Sequence, residues 1–130
     1  MFSSTPLHAL VVDDSAVVRE LIAVNLQLEG FDVTTAGDGR SAVELAARVN
    51  PDVITLDVMM PELNGFETVA LLRSMPETSS IPVVMVTGRA QAADLALGEQ
   101  LGVDAYLTKP FEPAELVAVV TRVAQGGHLR

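Results

Sequence analysis

Residues 53–65 read VITLDVMMPELNG, and this stretch decides the fold. Val53–Leu56 is a short, largely apolar run, which is typical of a strand buried on both faces of a sheet. The run ends at Asp57, and an amphipathic helix is predicted from about Asn64 to Met75. A buried strand followed by a helix is the unit from which parallel sheets are built.

The same unit recurs on both sides of this stretch. Strands are predicted at Leu10–Val12, Phe31–Thr35, Val83–Val86 and Asp104–Thr108. The predicted helices are one capped by Ser15 and stopped by Gly30, then Ser41–Val49, Ala92–Leu101 and one starting at Pro113. The first helix is expected to bury a stripe of Val17, Val18, Leu21, Ile22 and Leu28, and the last helix a stripe of Leu116, Val117, Val120 and Val123.

Five strand–helix alternations predict an α/β fold, in which helices cover both faces of a five-stranded parallel sheet. The first, third and fourth strands are largely apolar runs and belong in the centre, whereas the second and fifth resemble edge strands. A strand order of 2-1-3-4-5, that of the doubly wound flavodoxin-like fold, meets both requirements. We expect one domain over residues 7–125, with tails at residues 1–6 and 126–130.

The composition argues against several classes of function. The 130 residues carry a formal net charge of −9, which is unfavourable for binding nucleic acid or an anionic membrane surface. The absence of cysteine excludes disulfides and thiolate metal sites. No apolar run approaches the length of a membrane span and Met1–Pro6 lacks a basic leader, so the cytoplasm is the expected compartment.

Side chains suited to chemistry stand at the carboxyl ends of four predicted strands. Asp13 and Asp14 follow the first strand, Asp57 the third, Thr87 the fourth and Lys109 the fifth. Open parallel sheets bind their ligands at this edge. Each residue alone has an ordinary explanation, such as an acid pair at a helix start or a surface lysine. Three neighbouring carboxylates, however, favour a cation among them, and such oxygen ligands suit Mg²⁺ or Mn²⁺.

Four short motifs carry a resemblance to a known family. They are Val11–Ser15 (VVDDS), Asp57–Gly65 (DVMMPELNG), Val86–Gly88 (VTG) and Lys109–Phe111 (KPF). In the order and spacing of these motifs, the chain resembles the receiver domains of bacterial response regulators, from about Leu7 to Ala124. The resemblance implies a domain of two-component signalling, similar to the single-domain chemotaxis response regulator.

The resemblance implies a role for each acidic residue. Asp57 would be the phosphoacceptor. Asp14 and Asp57 would bind the metal directly, Asp13 would act mainly through water, and the backbone carbonyl of Met59 would add a ligand. Gly65 is expected to allow a close approach that a side chain would block.

The resemblance also implies how the site senses and keeps a phosphoryl group. Thr87 would hydrogen-bond one phosphoryl oxygen and Lys109 would pair with another, with a cis bond before Pro110. Tyr106 matches the switch aromatic, which we expect to turn from an exposed rotamer into space vacated by Thr87. Met59 and Arg89 occupy positions that tune the lifetime of the acyl phosphate. Neither can orient an attacking water well, so slow self-dephosphorylation is expected.

The implied partners are proteins. The phosphoryl group would come from a sensor histidine kinase or a phosphotransfer protein. A downstream protein target would read the face formed by the fourth helix, fifth strand and fifth helix. The domain would be a monomer when unphosphorylated. It would act as a signalling domain that assists its own phosphorylation and dephosphorylation, and not as a conventional enzyme.

Three alternatives stay open at this stage. A hydrolase of the aspartyl-phosphate class would need a second acid two residues after Asp57, where this chain has Met59. A carrier of flavin mononucleotide would need a phosphate loop after the first strand, where Asp13 and Asp14 would repel a phosphate. The chain could also be the receiver half of a longer regulator with an output domain, instead of a stand-alone regulator.

Overall fold

Strands and helices alternate throughout the computed structural model, which describes residues 5–88 and 91–126. The strands are β1 (His8–Val12), β2 (Asp32–Ala36), β3 (Val53–Asp57), β4 (Val83–Thr87) and β5 (Ala105–Thr108). The helices are α1 (Ala16–Leu28), α2 (Gly39–Val49), α3 (Gly65–Ser74), α4 (Ala92–Gln100) and α5 (Pro113–Ala124). Every predicted element is therefore present.

Local sequence signals explain where the helices begin and end. The side chains of Ser15 and Asp38 accept hydrogen bonds from the first-turn N–H groups of α1 and α2. Asn64 and Glu67 form a reciprocal capping box at the start of α3. Asn50 ends α2 in the left-handed conformation, with φ of 49°. The caps at Ser15, Asp38 and Asn64 fix where the loops after β1, β2 and β3 pass into helices.

The five strands form one parallel sheet in the order β2-β1-β3-β4-β5, as predicted. The central strands β3 and β4 are buried along their whole length, whereas β2 and β5 are partly exposed. The apolar and alternating patterns of the strands therefore distinguished centre from edge correctly.

Alternate strand residues serve opposite faces of the sheet and build two hydrophobic layers. One layer combines Leu10, Ile54, Leu56 and Met85 with Val69 and Leu72 of α3. The other combines Val11, Val53, Val84 and Val86 with Ile22 and Leu26 of α1 and with Leu116 and Val120 of α5. Within the described ranges, no helix is both long and apolar enough to cross a membrane.

The predicted inward stripe of α1 is largely wrong. Val17, Leu21 and Leu28 are exposed, and the buried residues of the helix are Ile22, Ala23 and Leu26. The error arises because α1 carries two apolar stripes, and the helical period alone does not tell which one faces the sheet. The predicted inward face of α5 is confirmed, with Val117 partly buried at its edge.

Candidate functional site

The strand registers bring the predicted site residues to one edge of the sheet. Val12 pairs with Leu56, so that Asp13 and Asp57 each stand one position further along neighbouring strands. Asp57 pairs in turn with Val86, the residue before Thr87. Asp13, Asp57 and Thr87 are buried, and each extends a central strand to the edge where ligands of this fold bind.

Gly65 lets the loop after β3 close over the strand end. A Cβ added at Gly65 would lie 2.6 Å from the carbonyl oxygen of Asp57 and 2.8 Å from Cα of Val58. The N–H of Gly65 also donates to the carbonyl of Val58 at 2.9 Å. Because backbone atoms fill the space of the missing side chain, any larger residue would push the loop away from Asp57. The predicted close approach at Gly65 is confirmed.

Lys109 connects two of the carboxylates. Its ammonium donates to Asp13 at 3.0 Å and to Asp57 at 3.4 Å. Its backbone N–H donates to the carbonyl of Thr87 at 2.8 Å, and the following peptide bond to Pro110 is cis, as expected. Burial alone would lower the pKa of Lys109, but the hydrogen bond and charge of Asp13, followed by those of Asp57, raise it. The ammonium is therefore a permanent positive charge.

Asp13, Asp14 and Asp57 form an acid cluster in which one carboxylate oxygen from each residue lies within 4.8 Å of the other two. Both oxygens of Asp13 already have protein partners, since one accepts from the N–H of Ser15 at 2.9 Å and the other from Lys109. Asp14 is exposed. The carboxylates of Asp14 and Asp57 are thus the better placed for direct bonds to a hard cation, and this donor set fits Mg²⁺.

The environment of Asp57 opposes its ionisation. Burial, followed by the negative charge of Asp13, raises the pKa of Asp57 from 3.8 to about 6. Lys109 and the N–H of Met59 act in the opposite direction and compensate only in part. A positive charge added beside Asp57 would therefore relieve a cost that the fold carries in its absence.

The remaining predicted residues lie around this centre. Met59 is 57% exposed, and its N–H donates to Asp57 at 3.4 Å. Tyr106 is half-buried instead of exposed, because its ring rests against α4 and its hydroxyl donates to the carbonyl of Asp94 at 2.8 Å. Burial, followed by the charge of Asp94, raises the pKa of Tyr106. Arg89 lies outside the described residues.

Two residues with a role in this geometry were missed in the sequence. Arg19 donates to the backbone carbonyl of Asp13 at 2.8 Å and so holds the loop that carries two acids. Gly98 is the only buried residue of α4, and it faces the ring of Tyr106. Arg19 occupies a helical position one turn after Ser15, which is a weak signal. No sequence pattern marks Gly98, since its contact depends on a strand eight residues later.

Comparisons with known proteins show the family and the fold of the chain. The family model described as the response regulator receiver domain matches residues 9–121. The chain is 43% identical over 112 residues to TcrX of Mycobacterium tuberculosis, covering 86% of this chain and 47% of that protein. It is 41% identical over 111 residues to the DNA-binding response regulator MtrA of the same organism, covering 85% of this chain and 47% of MtrA. The chain thus spans about half the length of these relatives.

Solved structures of similar proteins have the same fold. The chemotaxis protein CheY4 of Vibrio cholerae superposes with a TM-score of 0.88 at 35% identity, covering 92% of this chain and 99% of CheY4. The receiver domain of the Francisella response regulator 1452 superposes with a TM-score of 0.84 at 32% identity, covering 92% of this chain and 98% of that chain. Both likenesses extend over almost the whole chain.

Proposed function

The chain belongs to the response regulator receiver domain family, and from that premise we propose that Asp57 accepts a phosphoryl group from a sensor histidine kinase or a phosphotransfer protein. One observation carries the proposal above all. A buried carboxylate lies within 4.8 Å of two further carboxylates and 3.4 Å from a permanent ammonium group. Such a site is strained when empty and gains stability from the charges that a phosphoryl transfer brings together.

The transfer is a substitution at phosphorus. An oxygen of Asp57 forms the new bond to phosphorus, the bond from phosphorus to the histidine nitrogen of the donor breaks, and that nitrogen keeps the bonding electron pair. The product on Asp57 is an acyl phosphate. Lys109 already contacts Asp57 and pairs with one phosphoryl oxygen, and the hydroxyl of Thr87 donates to another.

The residues that would hold Mg²⁺ are Asp14 and Asp57 directly, Asp13 through water, and Met59 through its carbonyl. The occupied oxygens of Asp13 support its indirect role. When bound, the ion supplies positive charge that offsets the charge of the carboxylates and the phosphoryl oxygens. The exposure and apolar side chain of Met59, together with Arg89, favour slow hydrolysis of the acyl phosphate, since neither orients a water well.

A stripe on α1 suits the phosphodonor. Val17, Leu21, Val24 and Leu28 are all exposed and are spaced by four, three and four residues. Apolar residues at this spacing form the contact line between the helices of a coiled coil, so the stripe can pack against a helix of the donor protein. Because α1 starts three residues after Asp13, a helix docked there lies next to the acid cluster.

The output surface is the face of α4, β5 and α5, with Thr87 and Tyr106 linking it to Asp57. Leu95 and Leu97 of α4 are exposed and offer apolar contacts to a protein target. In this proposal the receiver fold occupies residues 7–125, is monomeric when unphosphorylated, and does not itself bind nucleic acid because its charge is −9.

A second candidate is a receiver that controls DNA binding through an attached output domain. The observation that favours it is that MtrA is named a DNA-binding regulator and is about twice as long as the matching part. In that case, the same face would contact the output domain instead of a separate target. The reading frame that encodes the chain distinguishes the two candidates directly.

The experiment for this proposal is labelling with a small phosphodonor, acetyl phosphate, in the presence of Mg²⁺. Intact mass should increase by one phosphoryl group that is lost in base, as expected of an acyl phosphate. Asp57→Asn should abolish labelling, because an amide is not a nucleophile of this kind. The matched control is Asp32→Asn, which makes the same chemical change at an exposed residue of β2 and should leave labelling intact. Equal labelling of Asp57→Asn and the native chain would refute the proposal.

A further inference from the structure

The ring and hydroxyl of Tyr106 pack against α4 in an arrangement that we call its seat. The ring is half-buried, and its hydroxyl donates to the carbonyl of Asp94 in the first turn of α4 at 2.8 Å. One helical turn later, Gly98 faces the ring and is the only buried residue of the helix. The buried position of α4 that contacts Tyr106 therefore has no side chain.

An alanine at Gly98 would not fit beside the ring in this position. Its Cβ would lie 2.7 Å from Cε1 and 2.9 Å from Cζ of Tyr106, and the hydroxyl is closer still. Contacts of this length are not tolerated, so one of the partners must move. The obstructing atoms are the end of a side chain that turns about its χ1 bond, and not backbone. The rest of the domain can therefore accommodate an alanine at position 98, but Tyr106 cannot keep its present rotamer beside it.

The C-terminal end of α4 has a separate attachment. Arg73 of α3 donates to the carbonyl of Leu101 at 3.2 Å and to that of Gly102 at 2.8 Å. The same guanidinium donates at 2.8 Å to the carbonyl of Ile81, which lies just before β4. Arg73 thus anchors the C-terminal end of α4 to the body of the domain, whereas the hydroxyl of Tyr106 bonds to the first turn of the helix at Asp94.

We propose that Gly98 is a positioning residue, a notch in α4 that holds Tyr106 in its resting place and so opposes the switch. To turn toward Thr87, Tyr106 must leave the notch and give up its hydrogen bond to Asp94. The first turn of α4 then loses this hydrogen bond, while Arg73 keeps the C-terminal end of the helix attached. The link between this seat and Asp57 rests on the proposed function; the seat itself does not.

A side chain at position 98 should shift the equilibrium between the resting and switched states of Tyr106 toward the switched state. A change that destabilises only the resting state raises the affinity for any ligand that prefers the switched one. Gly98→Ala should therefore bind beryllium fluoride with Mg²⁺, a mimic of the phosphoryl group, about fivefold more tightly than the native chain, the lower end of typical coupling between sites.

The experiment has two arms. One tests the contact between Tyr106 and Gly98, and the other tests whether that contact affects ligand binding at Asp57. The chain has one Tyr and no Trp, so its intrinsic fluorescence reports on Tyr106 alone. Without metal or phosphodonor, Gly98→Ala should change the quenching of this fluorescence by acrylamide. In the second arm, calorimetry should show tighter beryllium fluoride binding for Gly98→Ala. The matched control is Gly98→Ala made in a Tyr106→Ala background, where no ring occupies the notch and the affinity should not change.

Each result decides the proposal. Unchanged quenching in Gly98→Ala would refute the claim that Gly98 holds Tyr106 in its resting position. Changed quenching with unchanged affinity, or an equal gain in affinity in the Tyr106→Ala background, would overturn the coupling, because the effect would then not pass through the ring. If the native chain does not bind the mimic at all, the proposed function fails and the coupling with it. The quenching arm, which needs no ligand, still decides the seat.

Discussion

Replacing Asp57 with asparagine should stabilise the metal-free protein. The pKa of Asp57 rises from 3.8 to about 6 on folding, because of burial and the charge of Asp13. At about 1.36 kcal/mol per pH unit, ionised Asp57 costs the fold at most about 3 kcal/mol at neutral pH. This cost already includes the attraction between Lys109 and the carboxylate, and it is an upper limit, so a net gain of about 2 kcal/mol is expected for the asparagine. For a domain of this size, the melting temperature should rise by roughly 6–10 °C.

The gain should depend on pH in a defined direction. A carboxyl group with a raised folded-state pKa costs stability once it ionises, so the cost is full above pH 6 and disappears as the pH falls toward 4. From these two pKa values, the advantage of Asp57→Asn should fall to about half at pH 5. Saturating Mg²⁺ should also reduce it, because a cation relieves the same repulsion in the native chain.

The measurement is thermal unfolding of both proteins in chelator at several pH values, with Asp32→Asn as the matched control. Asp32 is exposed and outside the acid cluster, so its replacement should change the melting temperature little. A native chain more stable than Asp57→Asn at neutral pH would refute the reasoning. So would an advantage that is the same at pH 5 and pH 7.5, because the cost would then not come from ionisation.

Three further predictions concern the same structure. Mg²⁺ at tenfold excess over its dissociation constant should stabilise the native chain by about 1.4 kcal/mol in thermal unfolding, and Asp14→Ala should remove most of this response; no response beyond that of an ionic-strength control would contradict the metal site. Thr55→Val should raise the free energy of unfolding in urea by roughly 1 kcal/mol, because the buried hydroxyl has no partner among the described residues; a loss of stability would contradict this. Thr87→Ala should blunt the change in Tyr106 quenching on phosphorylation while Asp57 is still labelled; an unaltered change would remove Thr87 from the pathway.

The sheet and the residues at its edge could be predicted because their signals are local. Each central strand is largely apolar and is followed or ended by a polar residue, as Val53–Leu56 is followed by Asp57. Parallel topology then brings all these ends to one edge, whatever the detailed packing. The cap at Asn64 and the close approach at Gly65 are short-range features of the same kind.

The features that escaped prediction depend on packing between distant segments. Both stripes of α1 are apolar, and only the fitting of Leu26 into the core decides which one is buried. The seat of Tyr106 depends on Gly98 having no side chain, which matters only once α4 lies beside β5. Arg73 looks like a surface arginine in the sequence, yet its guanidinium donates to carbonyls in two separate loops.

The central claim is that the phosphoryl group resides on Asp57, and reductive trapping tests it most directly. Borohydride reduces an aspartyl acyl phosphate to homoserine, which marks the modified position by mass in a peptide map of the native chain. After incubation with acetyl phosphate and Mg²⁺, homoserine should appear at position 57 and at no other aspartate. Homoserine at position 13 or 14, or phosphorylated protein that yields no homoserine at position 57, would contradict the account.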